Sequence, residues 1–315
     1  MKPDLLVIAG PLQPYLNDLA TRYTLHRHDL ADPAAKAALL AEVGPKVQAI
    51  LTNGHEPLTA EMVAALPGLQ IVSCGSAGYD TIDVAALTAR GIPLTNTSDA
   101  LSDDVADTAM MLALAARRGL VPGHAYVTSG DWGRQGMFPL QSSLRGKKLG
   151  IVGMGKIGQA IIPRAEASGM QVSYFSRSEK PGINRPFQPD LIALADWADI
   201  LVLIVSGGKG TMNLIDAAVL RALGPQGTLV NVSRGSVVDE TALIAALRDG
   251  TLGHAALDVF WNEPNPDPAL TSLPNVTLYP HHASGTRESR AAMSQLAVAN
   301  LDAHFSGQPL LSPVN

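Results

Sequence analysis

The stretch "LGIVGMGKIGQAIIPRAEASGMQVSYFSR", residues 149–177, decides how the chain is read. It opens on an apolar run, breaks at Gly153, Gly155 and Gly158, continues at helical period, and returns to a second apolar run. A strand, a glycine turn, a helix and a strand within about 30 residues make up a dinucleotide-binding βαβ unit. Gly153 allows the tight turn, Gly155 lets the backbone approach a pyrophosphate, and Gly158 lets helix and strand pack closely. The N-terminus of the helix that follows offers free N–H groups and a positive dipole end to phosphate. In a chain with 29 glycines the bare spacing is a weak signal; the strand before it and the helix after it give it weight. Pro163 inside that helix removes a backbone donor and predicts a bend.

The end of the second run bears on which dinucleotide is bound. An NAD site calls for a carboxylate about 20 residues beyond the glycines, on the ribose 2′-hydroxyl. Here Ser176 stands there, 18 residues past Gly158, followed by Arg177 and Ser178. A hydroxyl and a guanidinium bind a 2′-phosphate that a carboxylate would repel, so NADPH or NADP is expected over NADH or NAD. Further strand-like runs follow: "ADILVLIVS", "GTLVNVSRG", "GHAALDVFWNEP" and "NVTLYPHHAS". In open α/β sheets ligands gather at the carboxyl ends of the strands. Those ends carry Ser206, Arg234, Asp258 and His281, with Glu263 a few residues beyond Asp258.

Upstream, "LLVIA", "VQAIL", "QIVSCG" and "IPLTN" read as strands alternating with helices, which is an α/β pattern with parallel sheets. A long, nearly all-round apolar helix runs through "SDDVADTAMMLALAARRG", with Ser102 as the expected N-cap and Gly119 after its end. Residues 120–146 read as a long irregular arm. With 315 residues the chain is long enough for two domains. The net charge of −5, with no basic block, argues against a nucleic-acid partner. A single cysteine, Cys74, excludes an intrachain disulfide framework and a cysteine-cluster metal site, and no metal is expected. No apolar run approaches the ~20 residues of a membrane span, so a cytoplasmic protein is expected.

"NVSRG", "LDVFWNEP" and "YPHHAS", in this order after "GMGKIG", resemble the signature of the D-isomer-specific 2-hydroxyacid dehydrogenases. "SCGSAGYDTIDV" resembles that family's substrate loop, and "DDVADTAMMLALAARR" its long interdomain helix. Within the family, "FSRS" and "LIVSGG" look most like the NADPH-dependent glyoxylate/hydroxypyruvate reductases and the 2-ketogluconate reductases. The resemblance implies NADPH-dependent reduction of small 2-oxo acids. Arg234 would bind the substrate carboxylate, His281 would be the general acid, and Glu263 would hold its imidazole. It implies substrate contacts at Ala77, Gly78 and Asn53 as well as at Arg234 and His281, while His282 is a bystander. Cofactor contacts are expected at Val105, Lys156, Ile157, Val205, Val232 and Ser284, besides the glycines and the residues from Ser176 to Ser178. Asp258 would meet the nicotinamide amide, with a turn-capping aspartate as the alternative.

The same resemblance implies two domains with the active site in a cleft between them. Residues 1–99 plus 287–315 would form a flavodoxin-like substrate domain, and 100–286 a Rossmann-type dinucleotide-binding domain. The arm at about 120–146 would make a homodimer, with Trp132 and Phe138 as candidate aromatics for the partner's site. The rival function is a non-catalytic, co-repressor-like dinucleotide sensor on the same fold. The intact trio of Arg234, Glu263 and His281 weighs against it.

Overall fold

A computed structural model describes residues 2–315, which form two compact units. One runs up to Leu101 and takes back Ser284–Asn315; the other is Ser102–Ala283. The expected α/β class, with two parallel sheets, is the architecture the chain adopts.

The first unit is built on strands β1 (Asp4–Val7), β2 (Thr24–Arg27), β3 (Val47–Thr52), β4 (Ile71–Cys74) and β5 (Leu94–Thr95). All pair in parallel in the order β2-β1-β3-β4-β5, which is the flavodoxin-like order. The inner strands are apolar almost throughout because both faces are covered. Leu6, Ile50 and Val72 pack on one side with Leu66 and Leu87, and Leu5, Leu51 and Ile71 on the other with Leu19 and Leu301. Leu301 lies in the helix Arg287–Phe305, whose Ala297 carbonyl accepts a hydrogen bond of 2.9 Å from the Ser73 hydroxyl. Two elements are not among those expected: β2, whose residues TLHR form no apolar run because it lies at the sheet edge, and the helix Pro33–Val43.

The second unit carries β6 (Lys148–Val152), β7 (Gln171–Phe175), β8 (Ile200–Leu203), β9 (Thr228–Asn231), β10 (His254–Leu257) and β11 (Val276–Leu278). Their order is β11-β10-β9-β8-β6-β7, all parallel. Beyond β7 a single parallel bridge joins Tyr174 to Phe187, with Tyr174 N–H to Pro186 O at 3.0 Å and Gln188 N–H to Tyr174 O at 2.8 Å. Counted as a vestigial third strand, it gives the 3-2-1-4-5-6 order of a dinucleotide-binding sheet, with β11 as a seventh strand beyond the sixth. The chain changes direction across the sheet between β6 and β8, so the glycine turn after β6 lies at the switch point.

Three local expectations need correction. The long helix is Ser98–Arg118, so Ser102 lies inside it and is not its cap. The chain enters the helix earlier because Asn96 Oδ1 accepts the Ser98 N–H at 3.4 Å and Thr97 O accepts that of Ala100 at 3.0 Å. This helix is not buried all round, since Met111 and Leu114 are 44% and 45% exposed. The arm is not irregular, because it holds helices Leu120–Thr128 and Asp131–Gln135. Pro122 falls in the first turn, where no N–H is needed, and Gly119 and Gly130 enter the two helices with φ of 58° and 79°. The helix Lys156–Ala167 carries Pro163 within it, as the sequence places it.

Candidate active site

The register places Asn231, Leu257 and Leu278, at the ends of β9, β10 and β11, side by side. The residues just past them therefore arrive along one edge of the second unit's sheet. There His281 Nδ1 lies 2.6 Å from Glu263 Oε2, both side chains about one-third exposed (31% and 32%). The other carboxylate oxygen of Glu263 accepts the Phe260 N–H at 2.8 Å. A recess of about 300 Å³, lined mainly by Phe260, Pro264, Leu278 and Tyr279, opens beside the pair. Burial pushes the Glu263 carboxyl up; the His281 hydrogen bond, the Phe260 N–H and the charges of His281 and Arg234 outweigh it. The net result is a group held below its ordinary range. The surroundings of Glu263 thus favour its ionised form, the Arg234 guanidinium among them.

Backbone devices hold these groups. His281 has φ +48°, a left-handed conformation that costs an L residue roughly 1–2 kcal/mol. The surroundings enforce it, since its N–H donates to Asp258 O at 2.7 Å. Asp258 is 1% exposed, and its two carboxylate oxygens accept the N–H groups of His282 (2.7 Å) and Ala283 (3.1 Å). Burial raises its carboxyl above the ordinary value, although those N–H groups oppose the shift. In this structure Asp258 clamps the turn that carries His281, with the geometry of the turn-capping alternative. The His282 and Tyr279 rings meet in an edge-type arrangement, with centroids 6.1 Å apart.

Arg234 is placed by Asn231. The Asn231 Oδ1 accepts the Ser233 N–H (3.0 Å) and hydroxyl (2.7 Å), and its Nδ2 donates to Arg234 O at 2.9 Å. The next residue ties this loop to the one bearing Glu263. A Cβ on Gly235 would lie 2.0 Å from the carbonyl carbon of Phe260, so only glycine lets the two backbones meet. Trp261 Nε1 donates to Val238 O at 2.7 Å and closes the same contact. Asn231, Gly235 and Trp261 were missing from the sequence reading. The available signal was the Asn two residues before Ser233 and the Gly directly after Arg234, a turn within the motif.

The glycine turn fits a dinucleotide for three separable reasons. Gly153 has φ +106° and sits against the next strand's exit: a Cβ there would be 2.5 Å from Ile204 O and 3.0 Å from Val205 Cγ1. A Cβ on Gly158 would be 2.3 Å from Gly153 O, so helix and turn are in direct contact. Gly155 has neither constraint; its Cβ would meet nothing within 4 Å. The protein's own packing does not require glycine there, and the space left is the space a close-lying ligand group needs. Lys156 and Ile157 open the helix at that point.

Past β7, Ser176 Oγ donates to Ser178 O at 2.6 Å, while Arg177 is exposed and no described residue forms an ion pair with it. Val232 is buried after β9, and Val105 is buried in the helix Ser98–Arg118. Ser284 opens the segment that returns to the first unit. In that unit, Asn53 follows β3 and accepts the His55 N–H at 3.0 Å. It lines a recess of about 210 Å³ with Gly10, Thr52, Gly75 and Arg290. Ala77 and Gly78 lie half-buried in the turn after β4. No helix among the described residues is long and apolar enough to cross a membrane. Among them no cluster of three or more His, Cys, Asp or Glu could hold a metal ion.

Comparison with known proteins adds to this geometry. The family model described as "D-isomer specific 2-hydroxyacid dehydrogenase, NAD binding domain" matches residues 110–283. The chain belongs to this family. It is 44% identical to the 2-ketogluconate reductase of Gluconobacter oxydans, over 99% of both chains. It is likewise 44% identical to a glyoxylate/hydroxypyruvate reductase A of Arabidopsis thaliana, over 96% of both. Among solved structures, the NADPH-dependent glyoxylate/hydroxypyruvate reductase of Sinorhizobium meliloti, in complex with NADP and malonate, is 40% identical. It superposes with a TM-score of 0.88 over 100% of this chain and 97% of that one. These 2-hydroxyacid dehydrogenases give the strand ends described above a chemical context.

Proposed function

We propose that this 2-hydroxyacid dehydrogenase reduces small 2-oxo acids (glyoxylate, hydroxypyruvate or 2-ketogluconate) to D-2-hydroxy acids, with NADPH preferred over NADH. The observation that carries the reading is the 2.6 Å pairing of His281 Nδ1 with Glu263, whose other carboxylate oxygen is fixed by the Phe260 N–H. A reduced nicotinamide dinucleotide, held by Gly153, Gly155, Lys156, Ile157 and Gly158, would supply the hydride. With Nδ1 facing Glu263, His281 presents Nε2 as the atom that gives a proton to the substrate oxygen. Glu263 orients the ring and offers a negative partner to an imidazolium. Arg234 has a planar fork that suits a carboxylate and the keto oxygen next to it. Asp258 acts through the turn it clamps. In the first unit, Asn53 and the N–H groups of Ala77 and Gly78 are the proposed substrate contacts.

The cofactor preference is supported by the hydroxyl of Ser176 at the position of the usual acid and by the exposed Arg177 beside it. The Sinorhizobium relative, an NADPH-dependent reductase, points the same way. We also propose that the chain works as a homodimer through its arm. Leu120, Val121, Val127, Trp132, Met137 and Leu140 are 54–91% exposed, an apolar concentration that a second copy would cover. Trp132 is 63% exposed, while Phe138 is engaged with Tyr126 at 5.3 Å. Trp132 is therefore the aromatic available to a partner.

The test is NADPH consumption by the purified protein against a panel of these 2-oxo acids, repeated with NADH. Turnover with at least one acid, faster with NADPH, is expected. No turnover with any of them would overturn the reading, and faster turnover with NADH would overturn the cofactor preference.

A further inference from the structure

The turn after β4 has an unusual division of its backbone groups. Three successive carbonyls are engaged from the protein side. Ser76 O accepts the Thr97 N–H at 3.0 Å, Ala77 O accepts Asn96 Nδ2 at 3.1 Å, and Gly78 O accepts Ser76 Oγ at 2.6 Å. Gly54 lies against the third of these: a Cβ there would stand 2.2 Å from Gly78 O. None of the N–H groups of Ala77, Gly78 and Tyr79 has an acceptor among the described residues. The peptide bonds joining these residues are trans, so each N–H points away from the carbonyl of its own peptide plane. Fixing the carbonyls of Ser76, Ala77 and Gly78 inward turns the N–H groups of Ala77, Gly78 and Tyr79 outward together. Successive N–H groups facing one way form an anion-binding concavity.

The middle clamp comes from far along the chain. Asn96 is gripped by the C-terminal tail: its N–H donates to Ser312 O at 3.2 Å, and its carbonyl accepts Ser312 Oγ at 2.6 Å. Ser312 Oγ in turn accepts Asn300 Nδ2 at 2.9 Å, and Asn300 Oδ1 accepts the N–H groups of Leu311 (2.9 Å) and Ser312 (3.3 Å). Asn300 is fully buried in the helix Arg287–Phe305. The tail is fastened along β5 as well, by an antiparallel bridge between Thr95 and Pro313 and by Val314 N–H to Leu94 O at 2.8 Å. Asn300, Ser312, Asn96 and Ala77 thus form a continuous polar chain within the first unit.

We propose that Asn96 and the C-terminal tail holding it are positioning residues that aim the N–H groups of Ala77, Gly78 and Tyr79 at the substrate carboxylate. This rests on the 2-oxo acid reading above. A substitution in the tail, at Ser312, then weakens substrate binding without touching substrate.

The test uses Asn96→Ala and Ser312→Ala in the full chain, with Ser306→Ala as a control. Ser306 only caps its own helix, donating to Asp302 O at 2.6 Å. Loss of the Ala77 clamp should raise the KM for the 2-oxo acid about tenfold, and Ser312→Ala should raise it about threefold. In both, kcat and the NADPH dissociation constant should stay within about twofold, and Ser306→Ala should change nothing. A KM within about twofold of wild type in Asn96→Ala and Ser312→Ala would overturn the proposal. So would a joint loss of kcat, NADPH affinity and substrate affinity, which marks general damage. If Asn96→Ala does not fold, Ser312→Ala decides alone. If the wild type reduces no 2-oxo acid, the functional reading fails and calorimetric binding of oxalate tests the clamp separately. Weaker oxalate binding in the variants would support it; unchanged binding, or none in the wild type, would overturn it.

Discussion

The two sheets share one plan, parallel strands wound on both faces, yet their carboxyl ends present different chemistry. The second unit's strand ends carry side chains that titrate or bear charge: Arg234, Asp258, Glu263 and His281. The first unit's strand ends offer mainly main-chain groups, with the Ala77–Tyr79 N–H groups turned out by clamped carbonyls. On the proposed function, one region works through residue identity and the other mainly through backbone direction. Their sensitivity to substitution should differ accordingly. Replacing one of these side chains in the second unit should remove its proposed function outright. In the first unit, Asn53 apart, the atoms proposed to meet substrate are main-chain N–H groups that every residue has, so mutation reaches them only through their supports.

The largest effect is expected at His281. Its replacement by Ala should lower kcat by roughly 10²–10⁴ while NADPH still binds, measured by steady-state turnover and cofactor fluorescence. Near-normal turnover would dissolve the contrast between the units. Next, Arg234→Lys should lower kcat/KM for the 2-oxo acid by about 10–100-fold, because a point charge cannot reproduce a bidentate fork. An unaffected kcat/KM would take Arg234 out of the site. Arg177→Ala should weaken NADPH binding about tenfold and NADH binding hardly at all, read as two dissociation constants. Equal weakening would count against a 2′-phosphate contact.

The smallest effect is on stability. Glu263 is held below its ordinary carboxylate range in the folded chain, so the folded state binds its proton less readily than the unfolded state. Its contribution is complete above the unfolded value near 4.5 and is lost as pH falls through the lower folded value. The melting-temperature difference between wild type and Glu263→Gln should therefore shrink between about pH 6 and pH 3. A difference that stays constant over that range would mean the pair contributes no linked stability.

What could be read in the amino-acid sequence follows the same division. His281, Glu263, Arg234 and the three glycines stood out as a candidate site because the chemistry proposed for them calls for particular residue types at particular spacings. The parallel α/β plan was legible from the apolar runs of the inner strands. β2 was not, since an edge strand with the residues TLHR needs no apolar run. The arm's helices were hidden by Pro122, Gly123 and Gly130, which look like breakers until Pro122 is placed in a first turn. The clamping job of Asp258 depends on two N–H groups 24 and 25 residues away. The hold of Ser312 on Asn96 spans 216 residues. Contacts of that separation leave no local pattern.

The most direct measurement of the account is the pH dependence of kcat/KM for wild type and His281→Ala, between about pH 5 and 9. If His281 delivers the proton, the wild-type value should fall as pH rises and the imidazole loses that proton, and the residual rate of His281→Ala should be flat across that interval. The same fall in both proteins, or undiminished turnover in the variant, would contradict it.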